Sequence, residues 1–399
     1  MIPLRGCPVC GASGADVLHH QLFTVPEDWP LPCEYDVVAC TACGFVYADT
    51  PACQADYDVL YRDLSKYEDA STATGGGDTA EDWTRLQVTA RTVARFVSDV
   101  HAPVIDIGCG NGGLLRALRA EGFVDLSGID PSPACACRVS DDVGTGIAGT
   151  LLSMDEETLA ALRGRFAIVI LSHVLEHLCD VPAALQVAVD FLGPDGVLYV
   201  EVPDAAGYAG HYVVPYYYFD GEHINHFDEG SLRNLAARLG LELLDAASKE
   251  MPLPDGLLYP AVWAAMRRPA DGASGTIVRD EAARASVQEF IRASRERDEW
   301  PELRELAERD EAVVVWGAGS HAQRMLRDTP LSDCAILYFV DMDSKKHGSS
   351  LAGHKVRPPE ALAGFEGTIV VCAAVQASEI ESAIRSRGLH NRVLLLNGR

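Results

Sequence analysis

The chain has 399 residues, 48% of them hydrophobic and 23% charged, and a formal net charge of −25. That length exceeds one ordinary core, so two or three domains are expected, and so acidic a surface repels phosphate backbones and argues against nucleic-acid binding. No apolar run reaches about twenty residues. The start MIPLRGCPVCG has no charged segment leading into an apolar one. The expectation is therefore a cytoplasmic, reducing location with no membrane span.

Residues 1–75 are expected to form a zinc-binding module. Cys7-Pro8-Val9-Cys10-Gly11 and Cys40-Thr41-Ala42-Cys43-Gly44 are two copies of one knuckle. A two-residue gap lets both thiolates of a pair face one ion, and the glycine after each pair permits a tight turn. Four thiolates, Cys7, Cys10, Cys40 and Cys43, fill a tetrahedral Zn2+ shell and leave no open position, so the metal is structural. The bland alternative is chance spacing of free thiols. Cys33 and Cys53 lie nearby but belong to no pair. Residues 1–70 carry Arg5, Arg62 and Lys66 against eleven acids, which disfavours a nucleic-acid-binding ribbon.

The glycine run at 72–79 reads as a break. Residues 82–98 read as an amphipathic helix with Leu86, Val93 and Phe96 near one face. Apolar runs at Val104–Ile107, Leu126–Ile129, Phe166–Leu171 and Val197–Val202 then alternate with helical stretches. That predicts an α/β domain over 76–250, a doubly wound parallel sheet with helices on both faces.

Val104-Ile105-Asp106-Ile107-Gly108-Cys109-Gly110-Asn111-Gly112-Gly113 follows the first of these strands. Gly108, Gly110 and Gly113 fit a dinucleotide loop, but Asp106 separates the readings. A carboxylate at the end of that strand suits a cation and would repel a pyrophosphate. S-adenosylmethionine (SAM) carries an ammonium and a sulfonium. Asp130, before Pro131 at the end of the next strand, can accept both ribose hydroxyls of a nucleoside. Ile168-Val169-Ile170-Leu171-Ser172-His173-Val174-Leu175-Glu176-His177-Leu178 resembles the fourth-strand segment of class I methyltransferases, whose backbone lines the methionine end of SAM. The expected cofactor-binding residues are Asp106, Gly108, Cys109, Gly110, Asp130, Pro131, Ser172 and His173.

Tyr216-Tyr217-Tyr218-Phe219-Asp220-Gly221-Glu222-His223-Ile224-Asn225-His226-Phe227 follows the fifth strand. Three adjacent tyrosines cannot all be core, because their hydroxyls need partners. His223 suits a general base oriented by Glu222 or a neighbour, and equally suits a structural histidine; His226 and His211 compete with it. Asp228 reads as a helix N-cap, Phe227 and Leu232 as its hydrophobic staple, and Gly240 as the stop. Residues 251–310 are expected to connect to a Rossmann-like domain over 311–399. There Gly317, Gly319 and Ala322 fit a second glycine-rich loop, and Asp341 takes the ribose-acid position.

The paired knuckles, the DIGCGNGG loop, the Glu222-His223 pair and the trailing Rossmann-like unit together resemble the sugar C-methyltransferase family of antibiotic deoxysugar pathways. The resemblance spans essentially the whole chain. It implies methylation of a carbon beside the keto group of a nucleotide-linked 4-keto-6-deoxysugar, with His223 as base and Glu222 beside it. It also implies a lid tyrosine from the zinc-module side; Tyr61 and Tyr67 are candidates, with Tyr67 preferred. The family commonly has tyrosine where this chain has Asp220. The expected partner is a small molecule, a nucleotide sugar, bound by a monomer or homodimer. Rival readings are O- or N-methylation of another small molecule, an NAD-dependent oxidoreductase built on Gly317–Asp341, and a non-catalytic zinc-binding protein.

Overall fold

The computed structural model describes residues 1–64, 79–269 and 275–398. Tyr67 and most of the glycine run fall outside the described residues. Strands β1 (Ala15–Leu22), β2 (Glu34–Cys40) and β3 (Val46–Asp49) pair antiparallel, and helix α1 (Gln54–Asp63) follows. The sequence gives no helical signal for α1. It forms because Tyr57 and Leu60, three apart, share a buried face, and the Asp56 carboxylate accepts the Cys53 N–H at 2.8 Å. The knuckles turn at Gly11 and Gly44 with φ +78° and +87°. A side chain at Gly44 would meet the Asp280 carbonyl oxygen at 1.7 Å, so this turn also seats the later chain.

The central domain runs α2 (Ala80–Ala94), β4 (Val104–Ile107), α3 (Gly113–Ala120), β5 (Leu126–Asp130), α4 (Pro133–Asp142), β6 (Thr145–Ala148), α5 (Glu156–Leu162), β7 (Phe166–Ser172), α6 (Val181–Phe191) and β8 (Leu192–Pro203). After β9 (Asn225–His226) come α7 (Glu229–Arg238), β10 (Glu242–Pro252) and β11 (Leu258–Arg267). The sheet order is β10-β11-β8-β7-β4-β5-β6, with β11 antiparallel to β8 and to β10 and the other neighbours parallel. This is the predicted doubly wound sheet. Alternate residues of β7 bury on opposite faces. Val169 and Leu171 join the core with Leu185 of α6 and Leu232 of α7; Ile168 and Ile170 join Leu86 of α2 and Leu118 of α3. The order in which strands are added reverses between the parallel strands β4 and β7, the place where doubly wound sheets hold ligands at the strands' carboxyl ends.

Asp228 caps α7 as predicted, accepting the Ser231 N–H at 2.8 Å. Phe227 and Leu232 are both buried, and Gly240 ends the helix region at φ +65°. The boundary at 250 needs correction. It cuts β10, and the stretch expected to be a connector contains β11, an internal strand. A short continuous apolar run such as Ala261–Met266 does not distinguish strand from helix by its periodicity.

The expected helical part of the connector is α8 (Ala282–Arg297) and α9 (Pro301–Glu308). Val287, Phe290 and Ile291 of α8 pack with Tyr208, Tyr216 and Tyr218, so the helix is part of the tyrosine cluster. The C-terminal unit holds β12 (Ala312–Trp316), α10 (Ser320–Asp328), β13 (Ala335–Val340), β14 (Ser350–Leu351), β15 (His354–Arg357), β16 (Thr368–Val371), α11 (Ala377–Ser386) and β17 (Val393–Leu395). Its order is β14-β15-β13-β12-β16-β17, parallel except for β14 with β15. Asp341 sits after β13 as expected, but its carboxylate accepts the Ala318 N–H at 2.8 Å and the Lys346 ammonium at 3.0 Å. Among the described residues, no helix is long and apolar enough to cross a membrane.

Candidate active site

The β4–α3 loop turns through three left-handed glycines, Gly108, Gly110 and Gly112, at φ +73°, +50° and +78°. A side chain at Gly108 would strike Val174 at 2.5 Å, whereas Gly110 faces open space. Asp130 ties the loop to β5, accepting the Gly110 N–H at 2.8 Å and the Ser132 N–H at 2.9 Å. Asp106 is 3% exposed, and no described residue donates a hydrogen bond to its carboxylate. Burial, and then the nearby Asp130 charge, push its pKa well above the usual carboxylate range. The Cys109 thiol turns inward: a side chain at Gly128 would meet its sulfur at 2.6 Å, so only the Cys109 backbone is turned to the crevice. Pro131 and Ser172 stand partly exposed at the ends of β5 and β7.

His173 has left-handed backbone, φ +58°. Its Nδ1 lies 3.2 Å from Glu176 and its Nε2 3.7 Å from Glu201. Burial alone would lower its pKa; the two carboxylates outweigh burial and raise it.

A short 3₁₀ turn, Leu175–His177, then meets the tyrosine-histidine segment. His177 Nδ1 lies 2.8 Å from the Tyr61 hydroxyl and 3.0 Å from the Glu222 carbonyl oxygen. The Tyr61 hydroxyl donates to the Glu222 carboxylate at 3.3 Å. The rings of His177 and His223 meet edge-on, with centroids 4.8 Å apart. Asp220 accepts the backbone N–H groups of both Glu222 and His223, at 2.9 and 2.7 Å, and its other oxygen lies 4.0 Å from His223 Nδ1. Asp220 thus shapes the loop that carries the Glu-His pair. His226 is fully buried against the Tyr208 hydroxyl, and burial pushes its pKa down to about 3. His211 pairs with Glu250. Of the three histidines weighed, His223 is the one that reaches the crevice cluster. Tyr61 meets the cluster; Tyr67 lies outside the described residues.

The four knuckle thiols converge. Cys7 and Cys43 sulfurs are 3.6 Å apart, Cys10 and Cys40 sulfurs 3.5 Å, and all four lie within 4.8 Å of one another. Four sulfurs at about 2.3 Å from a zinc ion would be about 3.8 Å apart, so the set fits that metal. Cys33 and Cys53 are exposed and take no part.

Residues 83–246 match the family model described as a methyltransferase domain. Over this segment, about two fifths of the chain, the sequence is similar to a methyltransferase domain. The chain is 35% identical over 103 residues to a ubiquinone biosynthesis O-methyltransferase of Azorhizobium caulinodans, covering 24% of this chain and 38% of that one. It is 32% identical over 120 residues to the protein of that name from Cereibacter sphaeroides, covering 28% and 48%. The chain therefore spans less than half the length of these curated relatives. Solved structures with a similar fold include a 1,6-didemethyltoxoflavin-N1-methyltransferase of Burkholderia thailandensis, 18% identical, covering 56% of this chain and 95% of that one at a TM-score of 0.39. The CcbJ methyltransferase of Streptomyces caelestis is 15% identical, covering 51% and 98% at a TM-score of 0.38.

Within the methyltransferase domain, sequence reasoning missed a buried charge cluster behind His173. Glu201, fully buried at the end of β8, meets the Lys249 ammonium at 2.6 Å, the Tyr199 hydroxyl at 2.7 Å and the Thr89 hydroxyl at 3.3 Å. Strong burial would raise the Glu201 pKa; Lys249 and His173 outweigh it and hold the carboxylate well below its usual range. Burial lowers the Lys249 pKa despite its partner. The Glu201 carboxylate has four polar neighbours, whereas Lys249 faces one acid. No pattern in the sequence joins positions 89, 201 and 249, which meet only when α2, β8 and β10 pack.

Lys249→Met leaves Glu201 buried without its cation and should cost about 3–5 kcal/mol of stability by denaturant unfolding. Because the folded-state pKa of Glu201 is depressed, its contribution is complete above about pH 4.3 and is lost as pH falls through the folded value. The variant should show a correspondingly smaller stability difference in acid. Unchanged stability at pH 7 would contradict this account.

Proposed function

We propose that the chain transfers the methyl group of SAM to a carbon beside the keto group of a nucleotide-linked deoxysugar, with His223 as general base. The observation that carries the reading is Asp106, a buried carboxylate without a cation, beside a left-handed glycine loop tied to Asp130. Asp106 would meet the donor's positive end, Asp130 its nucleoside, and Ser172 and His173 would border its methionine end. When bound, the donor supplies an electrophilic methyl on a sulfonium. The protein's task is to make the nucleophile. His223 would take the proton alpha to the carbonyl, Asp220 would hold the resulting imidazolium, and the Tyr61 hydroxyl, once turned from Glu222, would donate to the developing enolate oxygen.

A cleft lined by Phe23, Tyr216, Tyr217, Asp220, Ser320 and Arg324 opens beside this loop, with aromatic faces suited to stacking a base; its arginine is already paired with Asp298 at 3.0 Å. The Cys7, Cys10, Cys40 and Cys43 set would hold a structural zinc ion. We assign residues 1–75 to the zinc module and 311–399 to a domain that closes over the substrate. O-methylation is the second reading. The curated relatives are named O-methyltransferases, and the same base would serve a hydroxyl.

Asp106 must be ionised to hold SAM, and its pKa is raised. SAM affinity should therefore rise with pH until Asp106 is ionised and then level off, with proton release seen as a buffer-dependent binding enthalpy. Asp106→Asn should weaken binding about 10- to 100-fold. Calorimetry showing no SAM binding, or affinity flat with pH, would remove the basis of the proposal. His223→Ala should cut transfer to a nucleotide keto-sugar by about 100-fold or more while sparing SAM affinity. Product NMR should show a C–CH3 group; an O-methyl resonance would select the second reading. Metal analysis should find one zinc per chain, and Cys40→Ser should lose it and melt at lower temperature; full metal retention would refute the assignment.

A further inference from the structure

Arg5 stands two residues before the first knuckle cysteine, yet its side chain reaches the catalytic segment. Its Nη2 donates to the Asn225 side-chain oxygen at 2.9 Å and to the Cys179 carbonyl at 3.1 Å. The Arg5 N–H donates to Asp49 at 3.1 Å, and its guanidinium lies over the Tyr47 ring at 5.6 Å. Both ends of the residue are thus anchored in the β1–β3 module. Arg5 Nη1 is buried without a partner, a cost that packing alone gives no reason to accept.

Asn225 is two residues after His223 and 1% exposed. Its Nδ2 donates to the carbonyls of Leu175 and Leu178, at 2.8 and 2.7 Å, which bracket Glu176 and His177. The adjacent Ile224 N–H donates to the Glu176 carbonyl at 2.8 Å, and its own carbonyl accepts from Ala48 of β3 at 2.9 Å. Asn225 pairs with Tyr47 in the β3–β9 ladder. One amide therefore joins three pieces: the turn that carries His177, the loop that carries His223, and the cysteine module through Arg5.

We propose that Arg5 is a positioning residue for methyl transfer: through Asn225 it sets the spacing of His177 and His223, and so couples the cysteine cluster to the active site. Both acceptors are served by the one Nη2 nitrogen, so a lysine ammonium could supply part of the bridge without the rigid planar orientation of the guanidinium. Misplacing the base by about 1 Å is enough to cost about 100-fold in rate.

The proposal rests on the reading of His223 as base, so its test includes a readout independent of turnover. In the full-length protein labelled at histidine, Arg5→Met should move the ring resonances of His177 and His223 and leave those of His101 and His354 unchanged. Turnover should fall about 100-fold with SAM affinity retained, and Arg5→Lys should recover part of it. If Arg5→Met fails to fold, Asn225→Ala, which leaves the cysteines untouched, must produce the same ring shifts. Unmoved His177 and His223 rings in the folded variant overturn the proposal. Moved rings in a protein that methylates no keto-sugar leave the coupling intact and overturn only the substrate reading.

Discussion

The candidate site depends on a two-residue ladder, in which β9 leaves the central sheet and pairs with β3. A strand that short has no stability of its own and exists because an edge is already in place to receive it. The β1–β3 sheet supplies that edge. The residues on either side of β9 then have little freedom. Ile224 and Asn225 are bonded to the turn that carries His177, and Phe227 enters the core just before the α7 cap. His223 is placed by its neighbours' backbone bonds more than by contacts of its own ring.

The molecule treats its buried acids in two ways. Glu201 is surrounded by a lysine, two hydroxyls and a histidine, and Asp341 by a lysine and a backbone N–H. These charges are compensated within the fold. Asp106 is not, and its raised pKa records that cost. A carboxylate buried at a strand end with no hydrogen-bond donor among the described residues is suited to a cationic ligand. Against a net charge of −25, the selectivity of that position comes from desolvation and not from the overall field.

Much of this was legible in the chain. The knuckle spacings gave the four cysteines, because a two-residue gap and a following glycine are local requirements. The apolar runs gave strands β4, β5, β7 and β8, and Asp106 and Asp130 followed from their places at strand ends. Less was legible at the site itself. The chain offered Tyr61 and Tyr67 for the lid with Tyr67 preferred; Tyr61, on α1, meets the cluster, and Tyr67 lies outside the described residues. The domain limit at 250 missed β11. Cys109 lies in the expected loop, but its thiol packs inward against Gly128.

The sequence by itself determined the doubly wound sheet, the cysteine quartet and the acids that border the glycine loop, since each follows from periodicity or from spacing within a few residues. Only the tertiary structure decided that His223 meets His177, that Thr89, Glu201 and Lys249 form one charge cluster, and that Arg5 meets Asn225 across 220 positions of chain. The reason is physical. Local pattern records what a residue needs from its own strand or turn, while these contacts arise from packing elements whose separation along the chain leaves no periodic trace.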